Sequence, residues 1–177
     1  MKYVNKNLIL TLLVIVVFYC VCCADKLRLT KTPFTGDQLK IDGYYYNHLE
    51  GGKYYYPLIL YSNGIILSGG GKLCLKSVED SFLDKKWIEN VKNYQTWWGI
   101  FRIEGNSIKI ETWYHSSSWW HIPACIESGK IINDTTFVLT SVERSSQFWS
   151  KGSTKKNEIY HFRKFSPKPD STNRFIK

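Results

Sequence analysis

The sequence contains little proline and glycine, with 5 Pro and 12 Gly among 177 residues. This composition excludes a collagen-like chain and a Pro-rich low-complexity chain. The hydrophobic fraction of 44% excludes a wholly disordered chain, because such chains have too few apolar residues for a core. The length fits one domain of ordinary size better than a two-domain enzyme. We therefore expect one globular domain. Its formal net charge of +9 makes it basic.

Motifs of the common enzyme classes are also absent. The chain has no G-x-S-x-G, no Walker A motif, no H-E-x-x-H and no double C-x-x-C. Gly69-Gly70-Gly71-Lys72 is followed by Leu73, where a phosphate-binding loop needs Ser or Thr. His115, His121 and Cys125 have spacings compatible with metal ligation, but a core or surface role is the simpler interpretation. The sequence predicts a non-enzymatic protein with no metal and no other cofactor.

Residues 1–24 have the pattern of an export signal. Lys2 and Lys6 precede a run without charged residues that extends over 8–24. A positive start followed by an apolar stretch is typical of a secretory signal. The alternative is a membrane-spanning helix, for which a run of this length is at the short limit.

Three of the five cysteines, Cys20, Cys22 and Cys23, lie where this apolar run ends. A bacterial lipoprotein signal ends in an apolar-small-small-Cys box, and Cys23 fits it best because the small Cys22 precedes it. We therefore predict lipidation of Cys23 and a location in the cell envelope, anchored in the outer membrane. Cleavage after Ala24 with secretion, and a retained N-terminal membrane anchor, are the alternatives.

The mature chain keeps two cysteines, Cys74 and Cys125. Export exposes them to an oxidising compartment, in which they could form one intramolecular disulfide. The bond requires Cα atoms within about 7 Å of each other, which the sequence does not determine. A Cys74–Cys125 disulfide and two free thiols both stay open.

The remaining sequence has the pattern of short strands joined by tight turns. Asn63-Gly64 and Gly105-Asn106 are two-residue hairpin signals, whereas apolar residues recur at helical spacing over 80–92. We predict an all-β fold with one short helix: an antiparallel meander forming a lipocalin-like barrel or half-open barrel, or alternatively a two-layer sandwich. The predicted strands are 40–47, 54–61, 65–68, 97–103, 107–114, 119–126, 129–132, 135–143 and 158–165, with a polar loop at 144–157.

The turn at Gly105-Asn106 also predicts a register. A two-residue loop pairs Phe101 with Ile110 on a core face and places Trp98 by Trp113 on a mixed face. A slip of one residue would mix charged and apolar positions on both faces.

Charge is concentrated near the C-terminus. Residues 151–177 carry eight Lys and Arg against Glu158 and Asp170. In an exported protein we expect such a segment to lie near anionic lipid or glycan, and not to bind nucleic acid. The predicted organisation is a signal at 1–24, a linker at 25–38, the barrel domain at 39–166 and a basic tail at 167–177.

The order of these motifs resembles that of small uncharacterised lipoproteins of Bacteroidota-type bacteria. The resemblance is carried by the cysteine-ended signal and by turn and aromatic motifs, and it covers most of the mature chain. It implies an envelope location and a small β fold, without implying any catalytic or binding residue. The motifs are IDGYYY at 41–46, YSNGI at 61–65, WGIFRIEGNSI at 98–108, GKIINDTTF at 129–137 and KPDSTNRF at 168–175.

Tryptophan is the most distinctive residue, because five of the seven fall within 97–120. Open indole faces would form a platform for sugar rings or another apolar-faced ligand. Trp98 and Trp113 are the first candidates for this platform, followed by Trp119 and Trp120. The alternative is that the tryptophans fill the core of a small barrel.

We therefore expect an envelope protein that binds a small ligand or glycan. The first alternative is a structural or protein-interaction module without a small ligand. A hydrolase whose site has no readable motif is the third possibility.

Overall fold

The computed structural model of the chain describes residues 23–48, 52–115, 121–145 and 152–177. Its main feature is a closed barrel of eight antiparallel strands. Each barrel strand pairs with its neighbours along the chain, and the last closes on the first. The predicted lipocalin-like meander is confirmed, and the two-layer sandwich is not formed.

The strands are β1 Cys23–Ala24, β2 Gly43–His48, β3 Tyr55–Leu60, β4 Ile65–Ser68, β5 Trp98–Glu104, β6 Ser107–Trp113, β7 His121–Ile122, β8 Ala124–Asn133, β9 Thr136–Arg144 and β10 Ser153–Lys164. The helices are α1 Leu75–Leu83 and α2 Lys85–Val91, with a 3-10 turn at Gln95–Trp97. β1 pairs in parallel with β7 outside the barrel sheet. No helix among the described residues is both long and apolar enough to cross a membrane.

The predicted register of the β5–β6 hairpin is confirmed. Phe101 lies opposite Ile110, Gly99 opposite Thr112 and Ile103 opposite Ile108. Gly105 occupies the turn with a φ of +56°, a conformation that favours glycine.

Two strands differ from the prediction. β8 is one strand of ten residues where two strands, 119–126 and 129–132, were expected. β8 continues through this region because Ser128 pairs with β6 on one side and with β9 on the other. A register shift in the pairing with β9 follows directly after Ser128. β10 begins at Ser153, so residues 153–157 of the predicted loop belong to the barrel wall.

The single helix expected at 80–92 is two helices. Cys74 caps α1, and its Sγ accepts a hydrogen bond from the Ser77 backbone amide. Asp84 is extended, which ends α1, and its side chain accepts a hydrogen bond of 2.8 Å from the Lys86 amide to start α2. The buried faces of both helices pack on the outside of the barrel through Val78, Phe82 and Val91.

Strand alternation therefore divides the core into two clusters. The inner cluster fills the closed half of the barrel and includes Tyr45, Leu60, Phe101, Phe137 and Leu139. The outer cluster lies between the barrel and the helices and includes Tyr44, Ile59, Leu67, Trp98 and Trp113. Because several strands are buried on both faces, their apolar residues are consecutive rather than alternating.

Residues 25–38 are not a free linker, which corrects the prediction. Leu27 and Leu29 pack against the outer cluster. The Phe34 amide donates to the Ser62 carbonyl at 2.7 Å, and the Phe34 ring lies 5.8 Å from that of Phe101. The segment is held because its apolar side chains cover barrel surface that would otherwise be wet.

The segment 167–177 is also packed on the barrel, and not a solvated tail. The Lys168 ammonium donates to the carbonyls of Ile41 and Leu60, and the Tyr61 hydroxyl donates to the Pro169 carbonyl at 2.8 Å. Burial lowers the pKa of Lys168. Lys168, one of the basic residues of this segment, therefore forms hydrogen bonds within the fold.

The two ends of the barrel differ. The closed end carries the β3–β4 and β8–β9 turns, and residues 32–41 cross it with Leu39 buried. The Lys40 amide donates to the Asp134 carbonyl at 2.9 Å, and the Tyr45 hydroxyl donates to the same carbonyl. The open end carries the last residues of β2, β4, β6 and β9 and the first residues of β3, β5, β8 and β10.

Candidate functional site

A cavity of about 280 Å³ enters the barrel at its open end. Inward-facing residues of β3, β4, β6, β8 and β10 form most of its lining, since alternate side chains of each strand point into the barrel. The rest comes from Thr96 and from residues 113–115 at the end of β6 and just beyond it. Its floor is apolar and its wall is polar. Among the described residues the lining consists of Leu58, Ile66, Ser68, Thr96, Ile110, Thr112, Trp113, Tyr114, His115, Glu127 and Tyr160.

A second cavity of about 370 Å³ lies at the same end and shares Tyr114 with the first. Its lining includes Cys125, Val142 and Arg144. The Thr112 hydroxyl lies 3.9 Å from the Cys125 sulfur, so the two cavities adjoin through this pair.

An ionic cluster, Glu127, Lys156 and Glu158, lies in the wall at this end. The Lys156 ammonium contacts a carboxylate oxygen of Glu127 and lies 2.8 Å from Glu158 Oε2. Only 13% of the Lys156 side chain is exposed. Burial alone would lower the pKa of Lys156, but the two carboxylates outweigh it and the pKa is raised. Two carboxylates and one ammonium give the cluster one net negative charge.

Strand geometry explains why these three residues meet. Glu127 lies on β8 in register with Ile110 of β6, which is in the inner cluster. Lys156 and Glu158 are alternate residues of β10, so they share a face with Tyr160. β8 and β10 flank β9, and the long side chains meet across it inside the barrel.

Tyr160 joins the cluster to the cavity floor. Its ring stacks on Phe137 at 4.9 Å, and its hydroxyl is close enough to the Glu158 carboxylate for the two groups to interact. Burial, followed by the charges of Glu127 and Glu158, raises the pKa of Tyr160 well above its usual value. The phenol therefore stays protonated and remains a hydrogen-bond donor.

Glu127 is the member of the cluster that reaches the cavity. No described residue other than Lys156 forms a hydrogen bond with its carboxylate. Its second oxygen is therefore available to accept a hydrogen bond from a molecule in the cavity. The arrangement suits a ligand with an apolar body and a hydrogen-bond donor, either neutral or cationic.

The tryptophan platform is not formed by the two described candidates. Trp98 has no exposed surface and Trp113 is 6% exposed, because both lie in the outer cluster. The Trp98 indole donates to the Val91 carbonyl at 2.8 Å, and the Trp113 indole donates to the Asp25 carbonyl at 2.6 Å. Neither offers an open ring face, since helices and the N-terminal segment cover that side, although Trp113 contributes to the lining of the first cavity. Trp119 and Trp120 lie outside the described residues.

The possible Cys74–Cys125 disulfide is not present. Both thiols are free, because Cys74 caps α1 on the outside of the barrel whereas Cys125 lies in the wall of the second cavity. Burial, with a contribution from Glu127, raises the pKa of Cys125 to about 11. Hydrogen bonds with Ser77 lower the pKa of Cys74. Cys23 begins β1, and its predicted lipidation stays a prediction.

The histidines with metal-like spacing take part in separate interactions. His115 lies 3.0 Å from the Thr96 hydroxyl, and His121 lies 3.0 Å from Asp25 Oδ1. In the described part of the chain no three His, Cys, Asp or Glu side chains come together as a metal site.

The sequence interpretation missed the ionic cluster. The sequence places Lys156 in the predicted loop at 144–157, Glu158 at the start of the last predicted strand and Glu127 between two predicted strands. The alternation of Lys156, Glu158, Tyr160 and Phe162 was the signal that could have placed them on one strand face. Their meeting with Glu127 depends on barrel closure, which no local pattern encodes.

Comparison of the chain with protein-family models, with curated proteins and with solved structures gave no match. The assignment of the candidate site is therefore based on the geometry of its residues alone.

Proposed function

We propose that this protein is a non-enzymatic lipoprotein of the cell envelope that binds a small ligand in the open end of its barrel. The observation that carries the proposal is the unequal filling of the barrel interior. Between its own strands the closed half is packed with aromatic and aliphatic side chains, and its pocket of about 240 Å³ lies beside the crossing segment, whereas the open half holds a cavity of about 280 Å³ among the barrel strands. A cavity near 300 Å³ is at the small end of the range for ligand sites.

The lining indicates the chemistry of the ligand. Leu58, Ile66 and Ile110 offer apolar contact, and Glu127 offers a carboxylate oxygen. A net negative charge in a half-buried setting disfavours anions, because like charges repel strongly where water is scarce. A small amphipathic molecule with an amine or hydroxyl group fits this lining.

A matched set of probes tests the proposal: phenethylamine, phenylethanol and phenylacetate, titrated against the protein by NMR. The methyl signals of Leu58, Ile66 and Ile110 should shift with the amine and the alcohol, and the acid should bind weakest. Glu127→Gln should weaken binding of the amine about tenfold or more, the worth of a hydrogen bond to a charged group. Glu104→Gln, at the closed end, is the control and should bind as the parent does.

Absence of shifts with all three probes, followed by none in a broader amphipathic library, would favour the alternative function. That alternative is a structural or interaction module, and the packed closed half of the barrel is compatible with it.

The envelope location rests on the apolar N-terminal run and on the position of Cys23 directly before the fold. Incorporation of labelled palmitate should be lost in Cys23→Ala and kept in Cys74→Ala. Label that persists in Cys23→Ala would move the lipid to another residue or eliminate the anchor.

A further inference from the structure

The chain enters the fold at the rim of the open end. Cys23 pairs with His121 and Ala24 with Ile122, in the short parallel ladder of β1 and β7. β7 leads directly into Ala124, the first residue of β8 at the open end. Any membrane attachment at or before residue 23 is therefore fixed beside the cavity.

Asp25 holds this entry point. Its amide donates to the Ile122 carbonyl at 3.0 Å, and its carbonyl accepts the Trp113 indole N–H at 2.6 Å. Its carboxylate accepts the Ala124 amide at 3.1 Å and lies 3.0 Å from His121 Nε2. Four interactions on one residue leave no flexible tether between residue 23 and the barrel.

The next turn of chain is held as well. Glu111, fully buried, accepts the backbone amides of Arg28 and Leu29, both at 2.7 Å. A buried carboxylate that satisfies two amides fixes the backbone direction, because an unpaired charge there would be costly. The segment thus runs from the open rim down the outer wall.

Five of the eight large apolar side chains that are exposed among the described residues lie at or beside the same rim. Tyr54 and Tyr56 lie at the start of β3, Tyr94 precedes the turn into β5, and Ile122 is in β7. Leu73, 67% exposed, follows Lys72, which pairs with Tyr55. Of the other three, Ile132 lies at the closed end, Leu83 ends α1 and Ile159 lies within β10. Tyrosine and aliphatic residues of this kind are favoured at a membrane–water interface.

We propose that the open rim of the barrel lies against the lipid surface to which the N-terminus is attached, so that the cavity opens toward the lipid headgroups. The inference rests on the proposed membrane attachment of the protein. It holds equally for a lipid on Cys23 and for a retained apolar segment before it. An amphipathic ligand would then enter the cavity from the membrane interface.

Depth-dependent quenching tests the orientation. Full-length protein, purified in detergent, is reconstituted into vesicles of phosphatidylethanolamine and phosphatidylglycerol. An environment-sensitive fluorophore is placed on Leu73→Cys at the rim or on Ile132→Cys at the closed end, positions that are 67% and 62% exposed. Both variants also carry Cys74→Ser, in which the serine hydroxyl can still cap α1. Protein with Cys74→Ser alone is labelled in parallel, and its fluorescence is subtracted to remove the signal of the remaining cysteines.

Spin-labelled lipids should quench the fluorophore at position 73 severalfold more than at position 132. Equal quenching, or stronger quenching at position 132, would overturn the proposed orientation. An unquenched rim label on vesicle-bound protein would also overturn it and assign the rim to a protein partner. Protein that does not associate with vesicles at all would instead contradict the proposed attachment.

Asp25→Ala adds an independent test. Loss of the interactions of its side chain should reduce the quenching difference between the two positions, while the protein stays on the vesicles. Asp37→Ala, an exposed residue of the segment at the closed end, is the control and should keep the difference. An unchanged difference in Asp25→Ala would show that the rim is not held by this residue.

Discussion

The two ends of the barrel are built from the same eight strands, yet one is covered by a crossing segment with a pocket beside it and the other holds a cavity among the strands themselves. At the closed end, residues 32–41 cross the barrel and Phe34 packs against Phe101. At the open end, the corresponding volume is bordered by an ionic cluster and by polar side chains. The difference shows that a single meander can have unequally packed ends, since a cavity removes packing contacts.

The largest expected effect comes from two leucines of the same strand. Leu60 is in the filled half, and Leu58 borders the cavity. Leu60→Ala should lower the free energy of unfolding by about 4 kcal/mol, and Leu58→Ala by about 2 kcal/mol, because Leu58 has fewer packed neighbours to lose. Denaturant unfolding measures both. Equal losses would mean that the two halves are packed alike.

A second comparison concerns neighbouring lysines at the open end. Lys156→Met leaves Glu127 and Glu158 without their common partner, and it should lower the free energy of unfolding by about 2 kcal/mol. Lys155→Met changes an exposed side chain and should stay within about 0.5 kcal/mol of the parent. Equal free energies of unfolding for the two variants would mean that the ionic cluster does not stabilise the open end of the barrel.

The smallest expected effect is the alkaline dependence of stability. The pKa of Tyr160 is raised above its usual 10.0 by burial first and then by nearby carboxylates. Above pH 10 the unfolded chain loses this proton while the folded chain keeps it, so the free energy of unfolding falls as pH rises. In Tyr160→Phe the free energy of unfolding should therefore fall less steeply with pH than in the parent, by up to about 1.4 kcal/mol per pH unit.

Denaturant unfolding between pH 8 and pH 11 measures the alkaline effect. Tyr54→Phe, at the exposed start of β3, should keep the parental slope. A Tyr160→Phe slope equal to that of the parent would indicate that the phenol ionises freely at the open end.

Local patterns predicted the elements that depend on neighbouring residues. The turn at Gly105-Asn106 fixed the register of β5 and β6, because a two-residue loop permits only one pairing with a clean core face. The helix prediction was less accurate, because one helix was expected where there are two. Asp84 ends α1, and its side chain caps the start of α2. Nothing in the local pattern distinguishes a continuous helix from such a break.

The candidate site was harder to predict than the fold. Trp98 and Trp113 are prominent in the sequence, but their environment is set by α2 and by Asp25, which are distant in sequence or on another element. Lys156 and Glu127 are unremarkable in the sequence and meet only when β8 and β10 come together around β9.

The sequence by itself determined the strand-and-turn pattern, the hairpin register, the all-β class of fold and the apolar run before Cys23. Each of these depends on residues close together in the chain, where turn geometry and side-chain alternation act directly. Only the tertiary structure decided which end of the barrel is filled, which tryptophans are covered, and which charged residues share the cavity wall. Those outcomes depend on contacts between segments about a hundred residues apart or more, such as those that join Asp25 to Ala124, 99 positions away, and Lys168 to Ile41, 127 positions away.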